Sequence, residues 1–339
     1  MSSAPVPPVP PSAGQQVQQV SINIDFDQLL ATNRPVGTKA LLEAIGMTRG
    51  TTVLSLVLAE GAFLAGDVVS YLESLVLKSG KQNRLDLFLR STGGIAEIPW
   101  RVLTILREFS EHLAVMVPRV AMSGAAHIAI GGDELVMGPL SNLGSVDPTR
   151  NHPLLPRDPQ GNAIPTSVQH LKHCLNFLKR TVREGEAFGP IVAELFRHVN
   201  PLALGALEES YELSRLITQK ALSTRRPPFD AEKAAAIKDK LAGEYFSHTY
   251  YISRAEVETD LGLPITRMDP GEPLFSQVEA LNAAYDSIFE AVVQLPAPVP
   301  FQLRVKGIIE TAAHRFVLAQ VFAPNGQKVA GHWAEQDNY

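Results

Sequence analysis

The chain has 339 residues, 45% of them hydrophobic and 19% charged, with a formal net charge of −5. That length and apolar content support one large α/β domain with appendages or two modest domains, and the acidic balance argues against a general nucleic-acid binder, which carries a basic face. A single cysteine, Cys174, excludes a disulfide framework within the chain and fits a cytoplasmic protein.

Five prolines fall in the first eleven residues, so residues 1–22 read as a disordered or polyproline-like tail. The tail has neither the basic start nor the apolar middle of a signal peptide, and no apolar run nears the roughly 20 residues that span a bilayer. Asp25 to Ile45 predicts one or two helices. Thr51 to Ala59 is a buried strand by its length and β-branched content. Ala62 to Lys78 keeps helical spacing at Leu64, Val68, Leu72 and Leu75. Arg84 to Arg90 alternates strictly as a second strand, followed by the turn Ser91-Thr92-Gly93-Gly94 and a helix over Ile95 to Phe109. Leu113 to Val120 is a third strand, Ser123 to Gly131 a helix of small residues, and Glu134 to Met137 a short fourth strand. Strand and helix alternate in the manner of βαβ units on a mostly parallel sheet.

A Gly/Pro/Asn-rich stretch then leads to Arg150, and residues 151–165 are a loop. Thr166 to Glu184 is an amphipathic helix striped by Val168, Leu171, Leu175, Leu178 and Val182. Residues 191–243 are further helices. Tyr251 to Gly262 predicts a short strand and helix, Leu263 to Arg267 a strand, and Pro273 to Gln294 a helix with proline in its first turn. After a stiff Pro296–Pro300 linker come a strand over Gln302 to Thr311 and a hairpin over Arg315 to Trp333, turning at Asn325-Gly326. The expected organisation is a tail at 1–22, an α/β domain at 23–295 and a small β-rich extension at 296–339.

A serine nucleophile needs exposure at a sharp strand-to-helix turn, a base, and two backbone N–H groups aimed at the developing oxyanion. Ala121-Met122-Ser123-Gly124-Ala125-Ala126 supplies the turn, and Gly93-Gly94 supplies a backbone free to present an N–H. Both follow neighbouring parallel strands, where open α/β sheets place their ligands. On spacing alone, the commoner reading of Ser123 is an N-cap and of Gly93-Gly94 a simple turn.

The turn at Ser91–Gly94, followed about 30 residues later by the run from Ala121 to Pro148 (AMSGAAHIAIGGDELVMGPLSNLGSVDP), resembles the ClpP-like serine peptidases of the ClpP/crotonase superfamily. It is most similar to the serine dehydrogenase proteinases, relatives of signal peptide peptidase A. The stretch from His248 to Glu256 and on to Leu263 resembles the same group, with Tyr251 standing where that group has proline. Gly243-Glu244-Tyr245 stands where the group often has Gly-Lys-Tyr. The resemblance covers residues 50–265. It implies a ClpP/crotonase-like α/β fold of repeated ββα units with a mostly parallel sheet, to which the C-terminal hairpin is an appendage. It implies a peptidase acting through an acyl-enzyme on Ser123, with an oxyanion hole from Gly93 or Gly94 together with Gly124. A peptide or protein substrate would lie extended beside residues 94–97 and 142–147, touching Ile95, Ser145 and Asp147. The protein would be a homo-oligomer with no cofactor and no metal.

In ClpP a histidine follows the nucleophile by about 25 residues, but Gly144-Ser145-Val146-Asp147-Pro148 holds none. Signal-peptide-peptidase relatives use a lysine, and the helix 166–184 carries two, Lys179 and Lys172, each beside the apolar stripe. The resemblance favours Lys179; a lysine so placed otherwise snorkels at a surface. His248 is a third candidate. His127 is expected to pack inside, pointing the wrong way for a base. His170 and His173 share a helix face but lack a third metal ligand. Two other functions share the fold. One is a catalytically silent oligomeric scaffold that binds a peptide or partner. The other is a crotonase-type acyl-thioester enzyme, which needs no Ser123 and whose adenine-binding signature is not found.

Overall fold

The computed structural model describes residues 37–336 other than 151, 156, 163, 182–187, 246 and 296–299. The expected tail and the residues before 37 of the first expected helix lie outside the described residues, as does Val182. In chain order the first half comprises α1 (Lys39–Arg49), β1 (Thr52–Leu58), α2 (Gly66–Ser79), β2 (Gln82–Arg90), α3 (Ile98–Phe109), β3 (Ser110–Val117), β4 (Val120–Ala121), α4 (Gly124–Ile130), β5 (Glu134–Met137) and β6 (Asn142–Gly144). Then come α5 (Val168–Thr181), α6 (Phe188–His198), α7 (Pro201–Ser223), α8 (Ala231–Asp239), a π-turn (Lys240–Glu244), β7 (Tyr251–Ser253), α9 (Arg254–Thr259), β8 (Ile265–Arg267) and α10 (Pro273–Glu290). The chain closes with β9 (Val293–Gln294), β10 (Gln302–Glu310), β11 (Arg315–Phe322) and β12 (Lys328–Gln336).

Strands β1, β2, β3, β5 and β8 lie side by side and parallel. Parallel strands are covered on both faces and so read as continuous apolar runs; every residue of β1 after Thr52 is buried. The period-two alternation sends Leu54, Leu56 and Leu58 into a core with α2, α3 and α4. It sends Val53 and Val57, with Phe88, Met116 and Val136, against Leu42 and Ile45 of α1 and Val278, Leu281 and Tyr285 of α10. Each such side chain contributes about 1.5–3 kcal/mol by leaving water. The result is the expected mixed α/β fold with a mostly parallel sheet.

The expected C-terminal appendage is more deeply joined than its sequence suggests. β10 pairs antiparallel with β1, placing Ser55 opposite Glu310 and Leu58 opposite Gly307. β11 and β12 continue the same sheet as an antiparallel meander. A buried polar cluster fastens this end. Glu310 accepts hydrogen bonds from Thr38 (2.7 Å), Tyr285 (2.5 Å) and the guanidinium of Arg315 (2.6 Å). A second, three-stranded sheet runs β4-β6-β7, with β6 in the middle. Among the described residues no helix is long and apolar enough to cross a membrane.

Candidate active site

The loops after β2 and β3 meet at the carboxyl ends of these strands. Ser91 N–H donates to Val120 O (3.2 Å), and Met122 N–H donates back to Ser91 O (3.0 Å). That stitch brings Ser123 against the Gly93-Gly94 turn. Ser123 has φ +50° and ψ −119°, the only positive φ outside glycine among the described residues. This is the conformation of the first central residue of a type II′ turn, a place that glycine usually takes. Holding a serine there costs about 1–3 kcal/mol. Ser123 precedes α4, yet its side chain makes no capping hydrogen bond, so capping does not explain the serine.

The glycines opposite are required by space. Gly93 has φ +104°, and a Cβ on it would lie 2.8 Å from Cβ of Ser123. A Cβ on Gly94 would lie 2.2 Å from the carbonyl oxygen of Leu64. Leu64 holds this turn as a strand would: its N–H donates to Gly93 O and its carbonyl accepts from Ile95 N–H, both at 2.8 Å. The Gly93 amide is spent on Ser91 Oγ (3.0 Å). The amides of Gly94 and Gly124 have no protein acceptor among the described residues. They lie close together, since a Cβ on Gly124 would be 3.6 Å from Gly94 N. Two neighbouring amides without an acceptor, in the same wall as Ser123, are the kind of donor set an oxyanion needs.

Ser123, Gly94 and Gly124 line a cavity of about 710 Å³ whose wall also includes His127, Ser214 and His248. Phe63 and Ile95, both more than half exposed, stand at its rim. The Nδ1 of His248 meets the backbone carbonyl of Asp147. A carbonyl only accepts, so Nδ1 carries the proton, and the neutral ring keeps its lone pair on Nε2. Burial pushes the Asp147 carboxyl up, opposed by a hydrogen bond from Ser167 and by the positive ends of His248, His170 and Lys172. Its Oδ1 is buried and has no partner among the described residues.

The other expected site residues are spread more widely. Lys172 is exposed and rests its ammonium 3.9 Å from the ring centre of Tyr211. Lys179 is exposed in the last turn of α5. Neither lysine lines the cavity. Ser145 is buried and donates to Ser247 O (2.9 Å). The middle strand β6 has its edges taken by β4 and β7, leaving none at 142–144 for an added peptide strand. Among the described residues no three His, Cys, Asp or Glu side chains gather as metal ligands.

His127 is buried, as expected, but it also lines the cavity, one turn beyond Ser123. Sequence reading passed over its partners, Ser214 and Thr218. Their signal was available: both sit on the buried stripe of α7 with Leu207, Tyr211 and Ala221, and polar residues at core positions need a buried partner.

No protein-family model matches the chain. An uncharacterized protein of Methanocaldococcus jannaschii is 34% identical over 64 residues, which span 19% of this chain and 22% of that protein. Among solved structures, a mutant of the 1510-N membrane-bound stomatin-specific protease is similar at TM-score 0.37 and 10% identity, over 69% of this chain and 84% of that one. A second mutant of that protease, in complex with a substrate peptide, is similar at TM-score 0.26 and 14% identity, over 34% of this chain and 53% of that one. The ClpP protease catalytic domain from Plasmodium falciparum is similar at TM-score 0.38 and 12% identity, over 70% of this chain and 94% of that one.

Proposed function

We propose that the protein is a ClpP-like serine hydrolase that cleaves peptide bonds through an acyl-enzyme on Ser123. The observation that carries this reading is the backbone of Ser123, strained at φ +50° in the wall of the cavity. Strain of this kind persists where the surrounding structure imposes it, and it holds a serine hydroxyl clear of its own helix. In the proposed mechanism Ser123 Oγ attacks the carbonyl carbon and the new oxyanion takes hydrogen bonds from Gly94 and Gly124. His248 Nε2 removes the serine proton and returns it to the leaving amine. The Asp147 carbonyl holds the imidazole in that tautomer, and the neighbouring carboxylate favours the imidazolium as it forms.

The geometry favours His248 over the two lysines. A lysine base must lose its water to fall toward neutrality, whereas Lys172 and Lys179 are exposed. The same reading carries a cytoplasmic homo-oligomer that needs no cofactor.

The test is labelling with a fluorophosphonate probe. Wild type is expected to label, Ser123→Ala to lose the label, and His248→Ala to slow it by about 10²–10⁴-fold, the usual contribution of a general base. Lys172→Ala and Lys179→Ala should label as wild type does. One observation favours a catalytically silent, peptide-binding protein instead: the Ser123 hydroxyl makes no hydrogen bond to a base among the described residues. A folded wild type that never labels establishes that second reading over the first.

A further inference from the structure

Resting on the hydrolase reading, the geometry points to a second role in the same cavity: His127 holds the water that hydrolyses the acyl-enzyme. His127 is 4% exposed and lines the cavity with Ser123 and His248. Its Nε2 lies 3.0 Å from Thr218 Oγ1 and 3.5 Å from Ser214 Oγ. Both hydroxyl protons are committed elsewhere. Thr218 donates to Ser214 O at 2.8 Å, and Ser214 donates to Val146 O at 2.5 Å. Each oxygen can therefore only accept from the ring, so Nε2 carries the proton and Nδ1 is a bare lone pair. That Nδ1 is buried and has no partner among the described residues.

A buried acceptor of this kind calls for a donor. The protein supplies none to it, while the chemistry of the cavity needs a water in the second half of each turnover. Burial also pushes His127 down to about 4, partly opposed by a hydrogen bond to the Ser214 backbone, so the lone pair stays free at neutral pH. A ring so reluctant to take a proton is suited to holding a water and unsuited to deprotonating it.

The step balances with His248 as base. The water donates one hydrogen bond to Nδ1 of His127 and keeps that proton. Its oxygen forms the bond to the acyl carbon while its other proton passes to Nε2 of His248. The bond between the acyl carbon and Ser123 Oγ then breaks, and the proton on His248 goes to that oxygen. His127 ends as it began.

Two amide substitutions separate this role from packing. His127→Gln can keep a donor toward Thr218 but places no acceptor at the Nδ1 position. His127→Asn places its carbonyl near the Nδ1 position but gives up the Thr218 bond. With p-nitrophenyl acetate as the probe substrate, stopped-flow separates the acylation burst from steady turnover. His127→Gln should keep the burst and slow the following steady rate by about tenfold to a hundredfold, as expected for a misplaced reactant. His127→Asn should turn over within about threefold of wild type, whatever it loses in thermal stability, because it retains the acceptor. If only one variant folds, its own outcome still decides. A Gln variant with wild-type deacylation overturns the inference, and so does a folded Asn variant that acylates normally but deacylates slowly. If wild type gives no Ser123-dependent burst or label, the hydrolase reading itself fails and takes this role with it. A normal wild-type burst with the wrong variant behaviour removes the water role alone.

Discussion

Replacing Ser123 by glycine should make the protein more stable, although glycine normally weakens a fold. The positive φ of Ser123 costs about 1–3 kcal/mol in a residue with a Cβ and almost nothing in glycine. Against that gain stands the extra freedom of glycine in the unfolded chain, about 0.5–1 kcal/mol. The serine side chain makes no cap hydrogen bond to lose. The net expectation is a gain of roughly 0.5–2 kcal/mol for Ser123→Gly. Ser123→Ala keeps the Cβ and therefore the strain, so it should stay close to wild type. Urea unfolding of the three proteins, followed by circular dichroism, reads these differences as shifts in midpoint at constant slope. Both variants should lose fluorophosphonate labelling, so that activity and stability part company at one residue. A Ser123→Gly protein that unfolds at lower urea than Ser123→Ala refutes the strain and the account of the site built on it.

Gly94→Ala should cost labelling rate by about 10²–10³-fold, the effect of losing one oxyanion donor, because its methyl would sit 2.2 Å from Leu64 O and push the amide out of place; labelling at the wild-type rate contradicts the assigned donor. Burial alone would raise the pKa of Glu134, but hydrogen bonds from Arg49 and Thr266 and the charges of Arg49 and Arg84 bring it down to about 2 from an ordinary 4.5. Its stabilising contribution is therefore complete above pH 4.5 and is lost as pH falls toward 2. Glu134→Gln should lose stability at neutral pH and show a flatter decline across that window; an unchanged acid profile by urea titration would count against it. A chain ending at residue 295 should be insoluble, since it uncovers both cores of the sheet, the one that Ile309 joins and the one that Ile308 and Val317 join on the opposite face. A monomeric, cooperatively folding product in a sizing column and melt would show that the β10–β12 meander is dispensable.

The parallel strands were legible because their signal is local. Each is a short buried run, and Arg84 to Arg90 or Glu134 to Met137 can be found from the run and its flanks. Ser123 and Gly93-Gly94 were legible for the same reason, each being a turn directly after such a strand. Choosing between the two glycines was not possible from the sequence, because it depends on Ser91 Oγ capturing the Gly93 amide. The pairing of β10 with β1 was out of reach as well. A strand's pattern shows that it is buried and leaves open which distant strand covers it. The base was hardest. Helical spacing places Lys172 and Lys179 beside an apolar stripe, but of the expected stripe within the described residues only Val168 is buried. The ring of Tyr211 then claims Lys172. The orientation of His248 depends on a backbone carbonyl of Asp147, which no side-chain pattern records. The resemblance to the serine dehydrogenase proteinases pointed to a lysine, and neither Lys172 nor Lys179 is among the residues that line this cavity.

The order of synthesis gives the β1–β10 pairing a further meaning. A ribosome releases β1 early and β10 only after Ser123, His248 and nearly all of the cavity wall. Through that interval the backbone of β1 is open along one side, available to a neighbouring nascent chain as readily as to its own late partner. A contact spanning so much of the chain is also slow to form once its residues are free. The newborn protein therefore carries Ser123 on an unfinished sheet, and strands made after it close the edge through which it could aggregate.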